Sequence, residues 1–325
     1  MKVRLLLAIV IGLAGTAPLC AAEVGEVLDA VVIVDAEIPG EARTARFLGT
    51  ERSANGIVID DNGLILTIGY IILEAMSASV TDASGKTVPA EVIAYDYDTG
   101  FGLLRALAPI SAKPLRFGNS AKAGQNVRAL VVAAGGPDQV LPVRVTKRAV
   151  FAGYWEYLLE DAIFTTPRHP AWAGAALIDA EGRLLGVGSL QVNDAATTPT
   201  ALNGNLFVPI DLLKPILGDL LENGRSADPP RPWLGLFTRD MGGHVIVTFV
   251  IEDGPGAAAG VSEGSVITEV AGEKIKNMAD MFRKVWALGE AGVPIALTVD
   301  DGDGPREVIV ESADRYDYLR LDPSY

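Results

Sequence analysis

The sequence predicts a mainly β protein, built as antiparallel barrels or a sandwich and followed by a smaller region that mixes strands with helices. Three observations carry this. From Val31 to Pro209, short runs rich in Val, Ile and Leu alternate with turn signals, and no amphipathic stretch reaches helical length. Near residue 225 the proline-rich polar run "RSADPPRP" reads as a linker. Beyond it, helical patterning appears between strands.

The first residues, "MKVRLLLAIVIGLAGTAPLCAA", combine two cations (Lys2, Arg4), a short apolar run and small residues at the end. This is the pattern of a secretory signal peptide spanning 1–22, with the mature chain starting at Glu23. Lipidation of Cys20 would want a small residue before it, and Leu19 and Pro18 stand there instead. Cys20 is the single cysteine, so the processed protein has no thiol and no disulfide, and its stability must come from burial. About 300 residues can supply that as two or three domains. No later run is long and uncharged enough to cross a membrane. The net charge of −14 becomes −16 once Lys2 and Arg4 are lost. Such a surface repels nucleic acid and anionic lipid, which leaves a soluble periplasmic protein with no expected cofactor or metal.

Within the β region, "IVIDDNGLILT" (57–67) places Asn62-Gly63 between two apolar strands, the signal of a two-residue hairpin. "SASVTDASGKTVPAEVIAYD" and "ALIDAEGRLLGVGS" repeat the device. "DLLKPILGDLLENG" (211–224) predicts a short helix capped by Asp211 and stopped by Gly224, its start pushed later by Pro215. In the last region, "GPGAAAGV" predicts a short helix, and "NMADMFRKVWALGE" a longer one with Asn277 as N-cap and Asp280 at N3. "IALTVDDGDGPREVIVES" predicts a hairpin. Its acidic turn lacks calcium-loop chemistry, because Pro305 and Arg306 stand where ligands would be needed.

Taken in order, several stretches resemble the HtrA/DegP family of periplasmic serine proteases. These are "ANGIVIDDNGLILT", "AYDYDTGFGLLRA", "PLRFGNSAKAGQNVRALVVAAGGP", "HPAWAGAALIDAEGRLLGV", "NLFVPIDLL" and "WLGL". The resemblance implies a chymotrypsin-like double β-barrel over 23–224, a linker at 225–232, a PDZ (α+β) domain over 233–312 and a C-terminal tail at 313–325.

The family's catalytic histidine, aspartate and serine lie in "TNNHVV", "TDIALL" and "GNSGG". Laid on those patterns, this chain offers Tyr70 in "TIGYII", Gly100 in "TGFGLL" and Ala173 in "AWAGA". Acyl transfer needs a hydroxyl, a base to take its proton and a group to orient that base. Alanine has no nucleophile, a tyrosine with a pKa of about 10 is a poor base at neutral pH, and glycine orients nothing. Ala171 also replaces the glycine that helps aim the oxyanion amide. The resemblance therefore implies a degenerate, pseudoprotease member with no catalytic residues. Tyr70 and Trp172, both large, would converge on the old cleft and fill it.

Two other arrangements could be offered as an unconventional active peptidase. His169 and His244 are the only histidines. His169 is expected to be a surface or loop residue and His244 a polar residue at a strand edge in "GGHVIV". "GVSEG" (260–264) is a literal G-x-S-x-G, but a nucleophile elbow needs a strand before it and a helix after it, and here the order is reversed.

The PDZ-like region is the surviving functional feature. In the family a loop of the form R-x-x-LG-hydrophobic presents backbone N–H groups to a peptide's C-terminal carboxylate, and the peptide adds as a strand beside it. The matching residues are Arg231, Trp233, Leu234, Gly235 and Leu236, with Met278, Met281, Phe282 and Val285 on the longer helix as groove candidates. The same four could simply be core, and only one or two are expected to face a ligand. The implied partners are protein or peptide C-termini, an active HtrA-like relative, or an envelope complex, in homo- or hetero-oligomers.

Overall fold

Strand pairing explains the first barrel. The computed structural model describes residues 21–196 and 202–321, so the expected signal peptide, apart from its last two residues, lies outside the described residues. After helix α1 (Ala21–Asp29) come β1 (Val31–Glu37), β2 (Glu51–Val58), β3 (Leu64–Ile68), β4 (Ser77–Thr81), β5 (Thr87–Tyr95) and β6 (Phe101–Ala106), with the single turn of helix α2 (Ala45–Leu48) between β1 and β2. They close in the order β1-β2-β3-β6-β5-β4. Period-two alternation decides the register: on β1, Val32, Val34 and Ala36 point inward while Ile33, Asp35 and Glu37 face out.

The second barrel repeats the plan with β7 (Arg128–Val132), β8 (Val140–Gly153), β9 (Tyr157–Thr166), β10 (Ala176–Ile178), β11 (Leu184–Val192) and β12 (Gly204–Pro209), closed as β10-β11-β12-β9-β8-β7. One apolar core runs across both barrels, joining Ile65, Phe101 and Leu104 to Val132, Val187 and Leu206.

Three hairpins share one construction. Asp60, Asp82 and Asp179 each accept hydrogen bonds through Oδ1 from the backbone N–H groups two and four residues on. The short acidic side chain mimics a backbone turn. The first hairpin is therefore wider than the Asn62-Gly63 reading: Ile59 N–H still bonds Leu64 O, and residues 60–63 form the turn around Asp60.

Helix α3 (Leu217–Asn223) starts after Pro215 and ends at Gly224, as the sequence predicts. Asp211 does not cap it. Its carboxylate instead accepts from Ser120 Oγ and Ala121 N–H and pairs with Lys214, tying the end of β12 to the stretch before β7.

The C-terminal region is one sheet of six strands: β13 (Leu236–Met241), β14 (His244–Val250), β15 (Val266–Val270), β16 (Glu273–Lys274), β17 (Pro294–Asp300) and β18 (Pro305–Glu311). It carries the short α4 (Pro255–Ala258) and the longer α5 (Met278–Trp286). Asn277 caps α5 through Asp280 N–H, and Asp280 reaches back to Lys276 N–H, which is worth about 1 kcal/mol. Met278, Met281, Phe282 and Val285 all turn into the core beneath the sheet, none more than 4% exposed. Past β18 the chain turns back. Ala313 exchanges two backbone bonds with Trp233, and α6 (Arg315–Tyr318) lies against the first barrel, where Tyr316 Oη donates to Tyr95 O and accepts from Tyr97 N–H.

Candidate functional site

The cleft between the barrels is where the resemblance places its catalytic residues. Tyr70 lies on a single 3₁₀ turn directly after β3. Its hydroxyl crosses to the second barrel and donates to Ser189 O on β11 at 2.9 Å. Burial pushes this phenol well above its ordinary pKa, so at neutral pH it is a proton donor, not a base.

Gly100 closes the turn between β5 and β6. Its carbonyl accepts from Gly69 N–H at 2.7 Å, which sets it beside Tyr70. Its φ of +79° suits glycine, and a Cβ here would lie 3.1 Å from the Tyr157 hydroxyl, which itself donates to Thr99 O at 2.6 Å. The space for an orienting side chain is thus already held by Tyr157.

Ala173 is fixed through its carbonyl, which accepts from Asn55 N–H at 2.9 Å and from Asn55 Nδ2 at 2.7 Å. The next residue, Gly174, packs so close that a Cβ would sit 1.8 Å from Asn55 O, and its N–H donates to Gly188 O, next to Ser189. Tyr70, Gly100 and Ala173 therefore meet around one cleft, but they bring to it no nucleophile, no general base and no carboxylate. Trp172 flanks it, partly buried with its indole nitrogen shielded from solvent.

Ala171, where the resemblance puts a glycine, is also fixed locally. Ala171 N–H donates to His169 Nδ1 at 3.1 Å. His169 is not a surface residue: it is 3% exposed, its backbone exchanges two bonds with the Asn205 amide on β12, and burial lowers its pKa so that the neutral ring that Ala171 needs is favoured. Partners 36 residues apart leave no local signal, so the sequence does not reveal this bracket.

Elsewhere, Ser262 sits on the turn before β15, where its N–H donates to Ser265 Oγ, and His244 is exposed at the start of β14. Among the described residues no cluster of three or more His, Cys, Asp or Glu could hold a metal ion.

The second candidate is the turn before β13. Leu234 N–H and Leu236 N–H, on either side of Gly235, converge on one carboxylate, that of Glu156, at 2.9 and 3.0 Å. Glu156 belongs to the second barrel. It occupies the turn between β8 and β9 at a φ of +58°, a conformation that costs a non-glycine residue roughly 1 kcal/mol or more. The neighbouring carbonyl of Tyr154 accepts from Thr238 N–H on β13 at 3.0 Å. Further along β9, Leu158 is buried among the side chains of the C-terminal core, and Glu160 forms a bidentate pair with Arg283 of α5. Alternate residues 156, 158 and 160, at and just after the β8–β9 turn, thus face the C-terminal region. Arg231 pairs with Asp98 at 3.1 Å and lies over the Trp286 ring, while Trp233 packs on Tyr318. Glu156 gave no sign of this role in the sequence, being one acid between aromatics in "GYWEYLL".

Comparison with known proteins fits this arrangement. Residues 54–187 match a family described as trypsin-like peptidase domain. The serine protease Do-like HtrA of Lactobacillus helveticus is 24% identical over 287 residues, 78% of this chain and 66% of that protein. A probable periplasmic serine endoprotease DegP-like of Brucella suis is 27% identical over 267 residues, 75% of this chain and 49% of that protein. The chain therefore spans about half to two thirds of the length of these relatives. A solved structure of the HtrA-type protease AlgW with a decapeptide superposes with a TM-score of 0.53 at 18% identity, covering 93% of this chain and 98% of that one. With two closed six-stranded barrels in tandem, the chain carries a trypsin-like peptidase domain over residues 54–187 and is similar over about three quarters of its length to serine proteases of the HtrA and DegP type.

Proposed function

We propose that this chain is a catalytically inactive HtrA-type pseudoprotease of the periplasm, acting as a scaffold or regulator that binds protein or peptide C-termini through a PDZ domain in its C-terminal region. The observation that supports a loss of activity is the chemistry at the positions the resemblance assigns to the triad: Tyr70 donates to Ser189 O, Gly100 has the Tyr157 hydroxyl 3.1 Å from where a Cβ would be, Ala173 has no nucleophile, and Ala171 N–H donates to His169. Hydrolysis without nucleophile and base falls to the residual level left by binding alone. The binding role rests on the paired amides around Gly235, which grip a carboxylate in the geometry a chain end would need. An envelope location follows the periplasmic naming of the Brucella relative, and an active HtrA-type relative or an envelope complex is the fitting partner class.

The test is incubation of the purified mature protein with unfolded casein. No time-dependent cleavage is expected. Cleavage that co-purifies with the protein and survives Ser262→Ala would overturn the pseudoprotease reading in favour of an active endopeptidase with a non-standard site.

A further inference from the structure

The site proposed for chain ends is already filled from within. The two amides flanking Gly235 hold the Glu156 carboxylate, Thr238 N–H on the edge strand β13 holds the Tyr154 carbonyl, and Leu158 is buried with the core side chains beneath α5. These are the three contacts that strand addition uses: a terminal carboxylate in an amide nest, a backbone bond to the edge strand and an apolar side chain in a slot. The turn that delivers them is held at positive φ at Glu156 itself, and backbone strain at one residue needs surroundings that over-determine it.

We propose that the β8–β9 hairpin is a built-in pseudo-ligand, with Glu156 standing in for the carboxylate of a peptide C-terminus, so that the C-terminal groove is self-occupied and opens only to free chain ends that compete for the same amides. The proposal rests on the PDZ reading given above and names its regulation. The competing ligand has a free α-carboxylate and an apolar last side chain, the chemistry that Glu156 and Leu158 supply together. Amidated ends lack the charge and the second acceptor oxygen that the paired amides need.

The experiment measures binding of the full mature chain to displayed peptides with free or amidated C-termini, comparing wild type, Glu156→Gln and Glu160→Gln. Removing the internal carboxylate is expected to raise affinity for free-carboxylate peptides at least about tenfold, as a tethered competitor should. Glu160→Gln, which removes only an exposed contact with Arg283, is expected to raise it about two- to fivefold. Hydrogen exchange at the Leu234, Leu236 and Thr238 amides should be slow in wild type and faster in Glu156→Gln. If Glu156→Gln does not fold, Glu160→Gln together with peptide-dependent exchange in wild type decides the matter. Equal affinity in all three proteins, with unchanged exchange, overturns self-occupation and leaves the peptide-binding reading standing. Absence of carboxylate-dependent binding in every variant, with the three amides exchanging faster in Glu156→Gln, overturns the peptide-binding reading itself.

Discussion

At Gly100 a positive φ and a contact of 3.1 Å from a would-be Cβ to the Tyr157 hydroxyl combine. Gly100→Asp, the substitution that would rebuild the carboxylate, is therefore expected to lower stability by about 1–3 kcal/mol in urea unfolding. Combined with Tyr70→His and Ala173→Ser, it is expected to leave the protein without measurable proteolysis. Glu156 sets a pH dependence of its own. Burial pushes its carboxyl up to about 7, against the opposing pull of the Leu234, Leu236 and Gly235 amides. A group raised above its ordinary value of 4.5 contributes stability that is fully present below that value and lost as the pH rises through about 7. The difference is on the order of 3 kcal/mol. The charged groups that line the same cavity are Asp96 and Asp98 from the β5–β6 turn, Arg225, Asp228 and Arg231 from the connecting segment, and Asp314 and Arg315 after β18. Asp98 is itself pushed up to about 6 by burial. His169, lowered by burial, has the opposite sign, losing its contribution as the pH falls through its depressed value. Wild type and Glu156→Gln compared across pH 5 to 8 isolate the first effect. The wild-type unfolding midpoint should fall more steeply with rising pH, and parallel curves would refute the assignment.

Elements show where sequence patterning suffices and where it does not. Strand and helix positions followed from local chemistry: period-two alternation on β1, the Asn277–Asp280 cap of α5 and the stop at Gly224 all involve residues a few positions apart. The errors came from partners far along the chain. Asp211 was drawn to Ser120, 91 residues away, and His169 to Asn205. The apolar stripe of α5 correctly marked an inward face: all four residues are buried, in one cluster with Leu158 of β9. The proposed loss of triad chemistry is read from three residue types. A carboxylate captured by amides 78 and 80 residues away is not.

Across the whole molecule, the C-terminal sheet is held on both sides of its own chain, by the segment before Trp233 and by the stretch after β18. Ending the chain at Ser312 removes the Trp233–Ala313 pair, the two Tyr316 hydroxyl bonds and the Arg315 bond to Trp155 O. We predict a loss of about 2–4 kcal/mol and faster limited proteolysis within residues 225–232, with an unchanged digestion pattern as the contrary result. These two anchors also fix how hard the groove is to invade. A loop fastened at both ends keeps Glu156 in the neighbourhood of its amides even after it lets go, at an effective concentration in the millimolar range. A lone chain end at micromolar levels therefore faces a competitor roughly a thousandfold more abundant. Chain ends presented many at a time on one particle escape that handicap, because each rebinding partner is as local as Glu156 itself. Under the proposed self-occupation, crowded, multivalent displays of carboxyl termini compete for these amides better than isolated ones.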